Sequence, residues 1–80
     1  MKARIDVMLK DGILDPQGST VEQNLPSLGF KGVKDVRIGK HIELEIDAPD
    51  EQAAAAQVEE MARRLLSNPV IEDFTYAIEA

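Results

Sequence analysis

The chain has 80 residues, 44% of them hydrophobic and 30% charged, so it is sized for one small domain, residues 1–80, and is too apolar for a disordered chain. Nine basic and fifteen acidic side chains give a formal net charge of −6, which disfavours nucleic-acid phosphates and acidic membrane surfaces as partners. Cysteine is absent, which excludes disulfides, thiolate nucleophiles and cysteine-based zinc sites and is compatible with a cytoplasmic protein.

The first segment alternates apolar and polar side chains, which predicts a β-strand with one buried face. This alternation is unlike the continuous apolar segment of a signal peptide, and no segment reaches the ~20 apolar residues of a membrane helix. Asp11-Gly12 ends the strand. Its expected buried face consists of Ala3, Ile5, Val7 and Leu9.

A first helix should follow, and two start signals compete for it. Asp15-Pro16 places a capping carboxylate before a proline at the first helical position, and Ser19 with Glu22 forms a capping box slightly later. Pro26 lies inside the helical pattern, so we expect a kink or an early end there. The apolar stripe of this helix is Val21, Leu25 and Leu28.

Residues 35–47 keep apolar side chains at every second position through Gly39-Lys40, and two structures fit this pattern. One is a hairpin with a loop from Gly39 to His41, which pairs Ile38 with Ile42. The other is a single long strand, bent at Gly39, that spans roughly 43 Å and therefore overhangs a domain only about 30 Å across. The long strand exposes apolar side chains and predicts an oligomer joined partly through sheet edges.

Proline and acidic residues at 48–51 predict the start of a second helix, which Asn68-Pro69 ends. Glu59–Arg63 and Glu60–Arg64 have the spacing of stabilising ion pairs on its solvated side. The predicted buried stripe is Ala54, Val58, Met61 and Leu65, with Ala62 and Leu66 beside it. In the strand that follows, the expected apolar side consists of Val70, Phe74, Tyr76 and Ile78.

The order strand, helix, long strand, helix, strand indicates an α+β fold, an antiparallel sheet with two helices on one face. The two halves on either side of Gly39-Lys40 also match in pattern, residues 4–9 with 41–46 and residues 33–38 with 71–76. We interpret them as pseudo-duplicated βαβ halves, although binary patterning alone also produces such matches.

Few residues suggest chemistry. His41 is the only histidine and has no second histidine or cysteine to complete a nucleophile–base pair or a common metal site, so we interpret it as a surface or turn residue. The glycines form neither a P-loop nor a dinucleotide fingerprint. Ile13 and Leu14 lie between turn residues, where they either fold back under the first helix or form a contact surface for a partner.

Three segments together resemble the PurS-type small subunit of phosphoribosylformylglycinamidine synthase: LKDGILDPQG, LGF followed by VKDVRIGKHIELEI, and LLSNPVIEDFTYAIE. The resemblance covers nearly the whole chain and departs from the family pattern at Asp11 and Pro26. It implies a non-catalytic subunit that bridges a glutaminase subunit and a larger synthetase subunit in de novo purine biosynthesis. The complex uses ATP and Mg to convert formylglycinamide ribonucleotide and glutamine to formylglycinamidine ribonucleotide.

The resemblance further implies a homodimer that can pair into a tetramer, a long bent central strand, and no catalytic, metal-binding or cofactor-binding residue in this subunit. It carries over a set of residues that contact partners or determine shape. These are Asp15, Pro16, Gln17 and Gly18 in the loop, Asp35, Arg37, Gly39 and Lys40 in the long strand, and Asn68 and Pro69, for which helix termination is an equal explanation.

Two other function classes remain open from the residues alone. A regulatory module could bind a small molecule between paired βαβ units, but the sequence contains no convergent set of polar residues for a pocket. A small phosphate-ester or acyl-phosphate hydrolase on a similar sheet would require an anion-binding loop with an arginine, which KDGILDPQG does not supply.

Overall fold

The computed structural model describes every residue from Met1 to Ala80. Its strands and helices are β1 (Lys2–Leu9), α1 (Pro16–Asn24), β2 (Lys40–Glu45), α2 (Glu51–Met61) and β3 (Glu72–Glu79). A 3₁₀ turn, Pro26–Leu28, follows α1, and a π-helical turn, Ala62–Leu66, follows α2. Neither helix has the length and apolar character needed to cross a membrane. The predicted α+β class and the order of elements are confirmed.

β1 lies in the centre of a three-stranded sheet, with β2 and β3 antiparallel on either side. Its alternation turns one set of side chains towards α2, which covers them with residues one helical turn apart. The buried core consists of Ala3, Ile5 and Val7 from β1, Ala54, Val58 and Ala62 from α2, and Ile46. Because only 9 of the 80 residues are buried, the core of a single chain is small.

The start of α1 follows the first of the two predicted signals. The Asp15 carboxylate caps the helix by accepting the N–H of Gly18 at 2.8 Å, and Pro16 occupies the first helical position. Proline fits there because the first turn of a helix needs no N–H donor. The capping box at Ser19 is therefore not used.

α1 ends early, as the proline in its pattern predicts. Its last residue is Asn24, and the 3₁₀ turn that begins at Pro26 stops at Gly29, which has a φ of 99°. No residue of α1 belongs to the apolar core on the sheet. α1 lies instead beside the segment of residues 30–39, where Gly18 approaches the backbone of Val36.

Residues 30–39, which we call the arm, contain no helix, strand or turn and continue directly into β2. The hairpin is therefore absent. The paired strand is also shorter than a continuous strand from Asp35 would be, because the arm has no neighbouring strand within the chain. The molecule measures 51 × 25 × 14 Å, with a radius of gyration of 16.1 Å. A compact chain of this length would have a radius of gyration of about 12 Å, so this single chain is elongated.

The end of α2 departs from the predicted stripe at Leu65, whose side chain is 83% exposed. In the π-helical turn the Ser67 N–H donates to the Ala62 carbonyl, five residues earlier, at 2.9 Å. The extra residue in this turn shifts the following side chains by roughly 100° around the axis, so that Leu66 packs against the core instead. Val70 was likewise predicted wrongly: it lies in the turn before β3 and is 79% exposed.

Candidate functional site

The loop before α1 and the arm meet at the end of β1, in a region that we call the junction, formed by residues 9–18 and 35–40. The Asp15 carboxylate lies at its centre. One oxygen, Oδ1, accepts the N–H of Gly18, and the other, Oδ2, accepts the N–H of Ile38 at 2.7 Å. A single side chain therefore connects the start of α1 to the arm.

Arg37 fixes the other side of the junction. Its guanidinium donates to the carbonyl oxygens of Leu9 and Lys10 and to the Asp11 carboxylate, the last at 2.7 Å. The ion pair with Asp11 is exposed and contributes little by itself, whereas the bonds to carbonyl groups hold the end of β1 against the arm. Sequence reasoning selected Arg37 but not these partners, because they lie 26 to 28 residues away and follow no local pattern.

Two glycines allow the backbones of the junction to approach closely. A Cβ atom at Gly18 would lie 2.8 Å from the carbonyl carbon of Val36, and one at Gly39 would overlap the Met8 sulfur and the Val7 carbonyl oxygen. Only a residue without a side chain fits at either position. The structure therefore explains locally why glycine is needed at both positions. A contact of these glycines with partner subunits stays a prediction.

Two open clefts flank the junction. One, of about 260 Å³, includes Asp35 and Arg37 in its lining, and the other, of about 290 Å³, includes Pro16, Gln17 and Lys40. Both volumes lie below the range of roughly 300–1,000 Å³ that is usual for ligand pockets. The structure therefore brings the predicted residues of the loop and the arm together, around clefts that are small for a metabolite.

Asn68 and Pro69 lie outside the junction, in the turn between α2 and β3. The side-chain oxygen of Asn68 accepts the N–H of Val70 at 3.1 Å, and its backbone carbonyl oxygen accepts the N–H groups of Ile71 and Glu72. Asn68 also donates its own N–H to the Glu72 carboxylate at 2.7 Å. These bonds give Asn68 a structural role in closing the turn.

His41 lies on the outer face of the sheet, opposite α2. Its Nδ1 is 2.6 Å from the Asp6 carboxylate and its Nε2 is 3.1 Å from the Glu43 carboxylate. Hydrogen bonds to Asp6 and then to Glu43 raise the pKa of His41, whereas the Lys2 ammonium, followed by His41, lowers the pKa of Glu43. The side chain of His41 is half exposed. No group of three or more histidine, aspartate or glutamate side chains, including His41 with its two acidic neighbours, is arranged so that it could hold a metal ion.

The Asp15 carboxylate gives the junction a testable dependence on pH. Its hydrogen bond from Gly18, followed by that from Ile38, holds its pKa below the usual value. The stabilisation is therefore complete above the unfolded pKa, near pH 4, and is lost as pH falls through the lower folded pKa. We expect Asp15→Asn to flatten the loss of stability as the pH falls below about 4.

Urea unfolding at a series of pH values checks this expectation. The matched control is Asp35→Asn, which removes an exposed carboxylate of the arm and should keep the acid-induced loss seen in the unchanged chain. An identical pH profile for Asp15→Asn and the unchanged chain would contradict the role assigned to Asp15.

The fold and the junction define a class of small α+β domain in which a capped helix and an arginine hold an unpaired arm beside the sheet. A family model described as PurS, phosphoribosylformylglycinamidine (FGAM) synthase, matches residues 2–80. The PurS subunit of phosphoribosylformylglycinamidine synthase from Synechocystis sp. is 48% identical over 77 residues, which cover 96% of this chain and 77% of that subunit.

Solved structures agree. The structure of Bacillus subtilis PurS has a TM-score of 0.88 and 44% identity, covering 99% of this chain and 98% of that chain. A chain in the structure of PurLQS from Thermotoga maritima has a TM-score of 0.87 and 36% identity, covering 95% of this chain and 93% of that chain. The chain belongs to the PurS family, subunits of phosphoribosylformylglycinamidine synthase in purine biosynthesis, and the resemblance seen in the sequence is confirmed.

Proposed function

We propose that this chain is the non-catalytic subunit that bridges the glutaminase and synthetase subunits of a cytoplasmic phosphoribosylformylglycinamidine synthase. The observation that carries this proposal is its similarity to a chain of the PurLQS assembly from Thermotoga maritima. The junction supports it, because the Asp15 carboxylate and the Arg37 guanidinium are both occupied by backbone groups. ATP and Mg belong to the synthetase subunit in this proposal, and the present chain binds neither.

The proposed assembly contains this chain as a homodimer, and the free edge of β2 supports this. Ile46 and Met1 exchange backbone hydrogen bonds, so the backbone groups of even-numbered β2 residues face β1. Those of His41, Glu43 and Glu45 therefore face away from β1. In the arm the N–H of Ile38 points towards Asp15. Because backbone direction alternates along an extended chain, the backbone groups of the neighbouring residues Arg37 and Gly39 point the other way, towards the same free edge as those of β2.

This shared edge lets two copies pair antiparallel, the arm of each against β2 of the other. The register that opposes Ile38 to Ile42 of the second copy also opposes Val36 to Leu44, so apolar side chains of one copy face apolar side chains of the other. It joins the two three-stranded sheets into one and covers side chains that the arm exposes. Pairing of two such dimers into a tetramer stays a prediction from the family resemblance.

A reconstitution experiment tests the bridging function. Mixing this chain with its cognate glutaminase and synthetase subunits should restore glutamine-dependent synthesis, because ammonia must pass from one partner to the other within an assembly. Ammonia-dependent synthesis by the synthetase alone should not require the chain, which provides the internal control. Equal glutamine-dependent rates with and without the chain would contradict the bridging function.

A further inference from the structure

The sheet has a second free edge, on β3. Lys10 donates its N–H to the carbonyl of Ile71 at 2.8 Å, which fixes the alternation of the antiparallel ladder between β1 and β3. The backbone groups of odd-numbered β3 residues therefore face β1. Those of Phe74, Tyr76 and Ile78 face outward and have no partner strand, whereas the N–H of Glu72 is used by the preceding turn.

This edge lacks the features by which proteins usually prevent pairing at an exposed strand. β3 contains no proline and no lysine, and all eight of its residues pair in regular register with β1, without a bulge. An edge of this length and regularity is suited to accept another strand.

The side chains beside the edge indicate one half of the chemistry of a partner strand. Phe74, Tyr76 and Ile78 form an apolar row on the side of the sheet that α2 covers. The two rings are stacked with centroids 6.5 Å apart, and the side chain of Tyr76 remains 38% exposed although α2 contacts β3. A partner strand with apolar side chains on this side would complete the cover.

The charge of β3 indicates which polar side chains a partner strand should carry. β3 contains no basic residue; Asp73 and Glu79 lie on its outer face, and Glu72 lies on the α2 side. Lys10 and Arg4 pair with two of these acids, but both pairs are exposed and the chain as a whole carries a charge of −6. A second copy of β3 would add three more acids along the edge. A strand with basic side chains fits the β3 edge better.

We propose that the free edge of β3 is a docking site for an extended segment of one of the larger subunits, added as a fourth strand to this sheet. The segment has apolar side chains on the α2 side and basic side chains on the outer face. This inference rests on the proposed function and assigns the two sheet edges different tasks, β2 and the arm to self-association and β3 to the larger subunits.

Two substitutions at Tyr76 separate the edge hydrogen bond from the side chain. Tyr76→Pro removes the outward N–H and leaves the ladder to β1 intact, because proline is tolerated at positions whose N–H faces solvent. Tyr76→Ala removes the ring and keeps the N–H, so it is the matched control. Titration of each variant into the two larger subunits, with glutamine-dependent activity as the readout, should require at least ~10-fold more Tyr76→Pro than Tyr76→Ala for half-maximal activity.

Two substitutions of opposite charge at Thr75 provide a second test if the Tyr76→Pro variant does not fold. Thr75 is exposed on the outer face of β3, where Thr75→Lys should weaken assembly with a basic segment and Thr75→Glu should not. Equal titrations for the two Tyr76 variants, or for the two Thr75 variants if Tyr76→Pro is unfolded, would overturn the docking site. Failure of the unchanged chain to support glutamine-dependent synthesis would instead contradict the proposed function.

Discussion

Replacing Gly18 by alanine should lower the free energy of unfolding by about 2–3 kcal/mol, as overpacked substitutions do. Gly18 lies inside α1, where alanine normally stabilises a helix by roughly 1 kcal/mol, so helix propensity predicts the opposite sign. The close contact decides the outcome: the new Cβ would lie 2.8 Å from the Val36 carbonyl carbon, and backbone cannot rotate out of the way as a side chain can. α1 and the arm must then separate.

Urea unfolding at equal chain concentration measures this effect, because stability depends on concentration if the chain dimerises. Gly32→Ala is the matched control, since a Cβ at Gly32 would meet no atom within 4 Å and the residue also lies in the arm. Its effect should stay within about 0.5 kcal/mol. A Gly18→Ala chain more stable than the unchanged chain would show that α1 is not held against the arm as described.

Local chemistry determines the parts of the fold that the sequence predicts correctly. The alternation of β1 and the Asp15-Pro16 start of α1 each depend on neighbouring residues, so they can be recognised without tertiary structure. The π-helical turn after α2 cannot be predicted in this way. It depends on how Leu66 and Ser67 meet the core, and the exposure of Leu65 follows from it.

The sequence likewise predicts part of the candidate site, namely its residues, but not their contacts. Family resemblance selected the loop from Asp15 and the arm around Arg37, and the structure explains why they occur together: each donates to or accepts from the backbone of the other region. The partners of Arg37 at the end of β1 could not be predicted, because a pairing across 26 or more residues is set only when strand, loop and arm have assembled. The role of these residues towards other subunits stays a prediction.

Ile38→Asp should separate the proposed dimer into single chains at micromolar concentration. The Ile38 side chain is already 37% exposed in one chain, so a single chain tolerates the change better than an interface does. In the proposed register Ile38 faces Ile42 of the second copy, and the twofold axis repeats the contact. Loss of about 1.5–3 kcal/mol of apolar burial at each contact amounts to ~3–6 kcal/mol, which weakens dimerisation by roughly 10²–10⁴-fold.

Light scattering over a range of concentrations measures the mass directly, and Leu14→Asp is the matched control. Leu14 is 79% exposed in the loop and lies outside the proposed strand pairing, so the same change of side chain should leave the dimer intact. A single-chain mass for the unchanged protein would contradict the dimer, and a dimeric Ile38→Asp would contradict the register. Because the β3 edge lies on the opposite side of β1, the Tyr76 variants should remain dimeric, which separates the two sheet edges in one set of measurements.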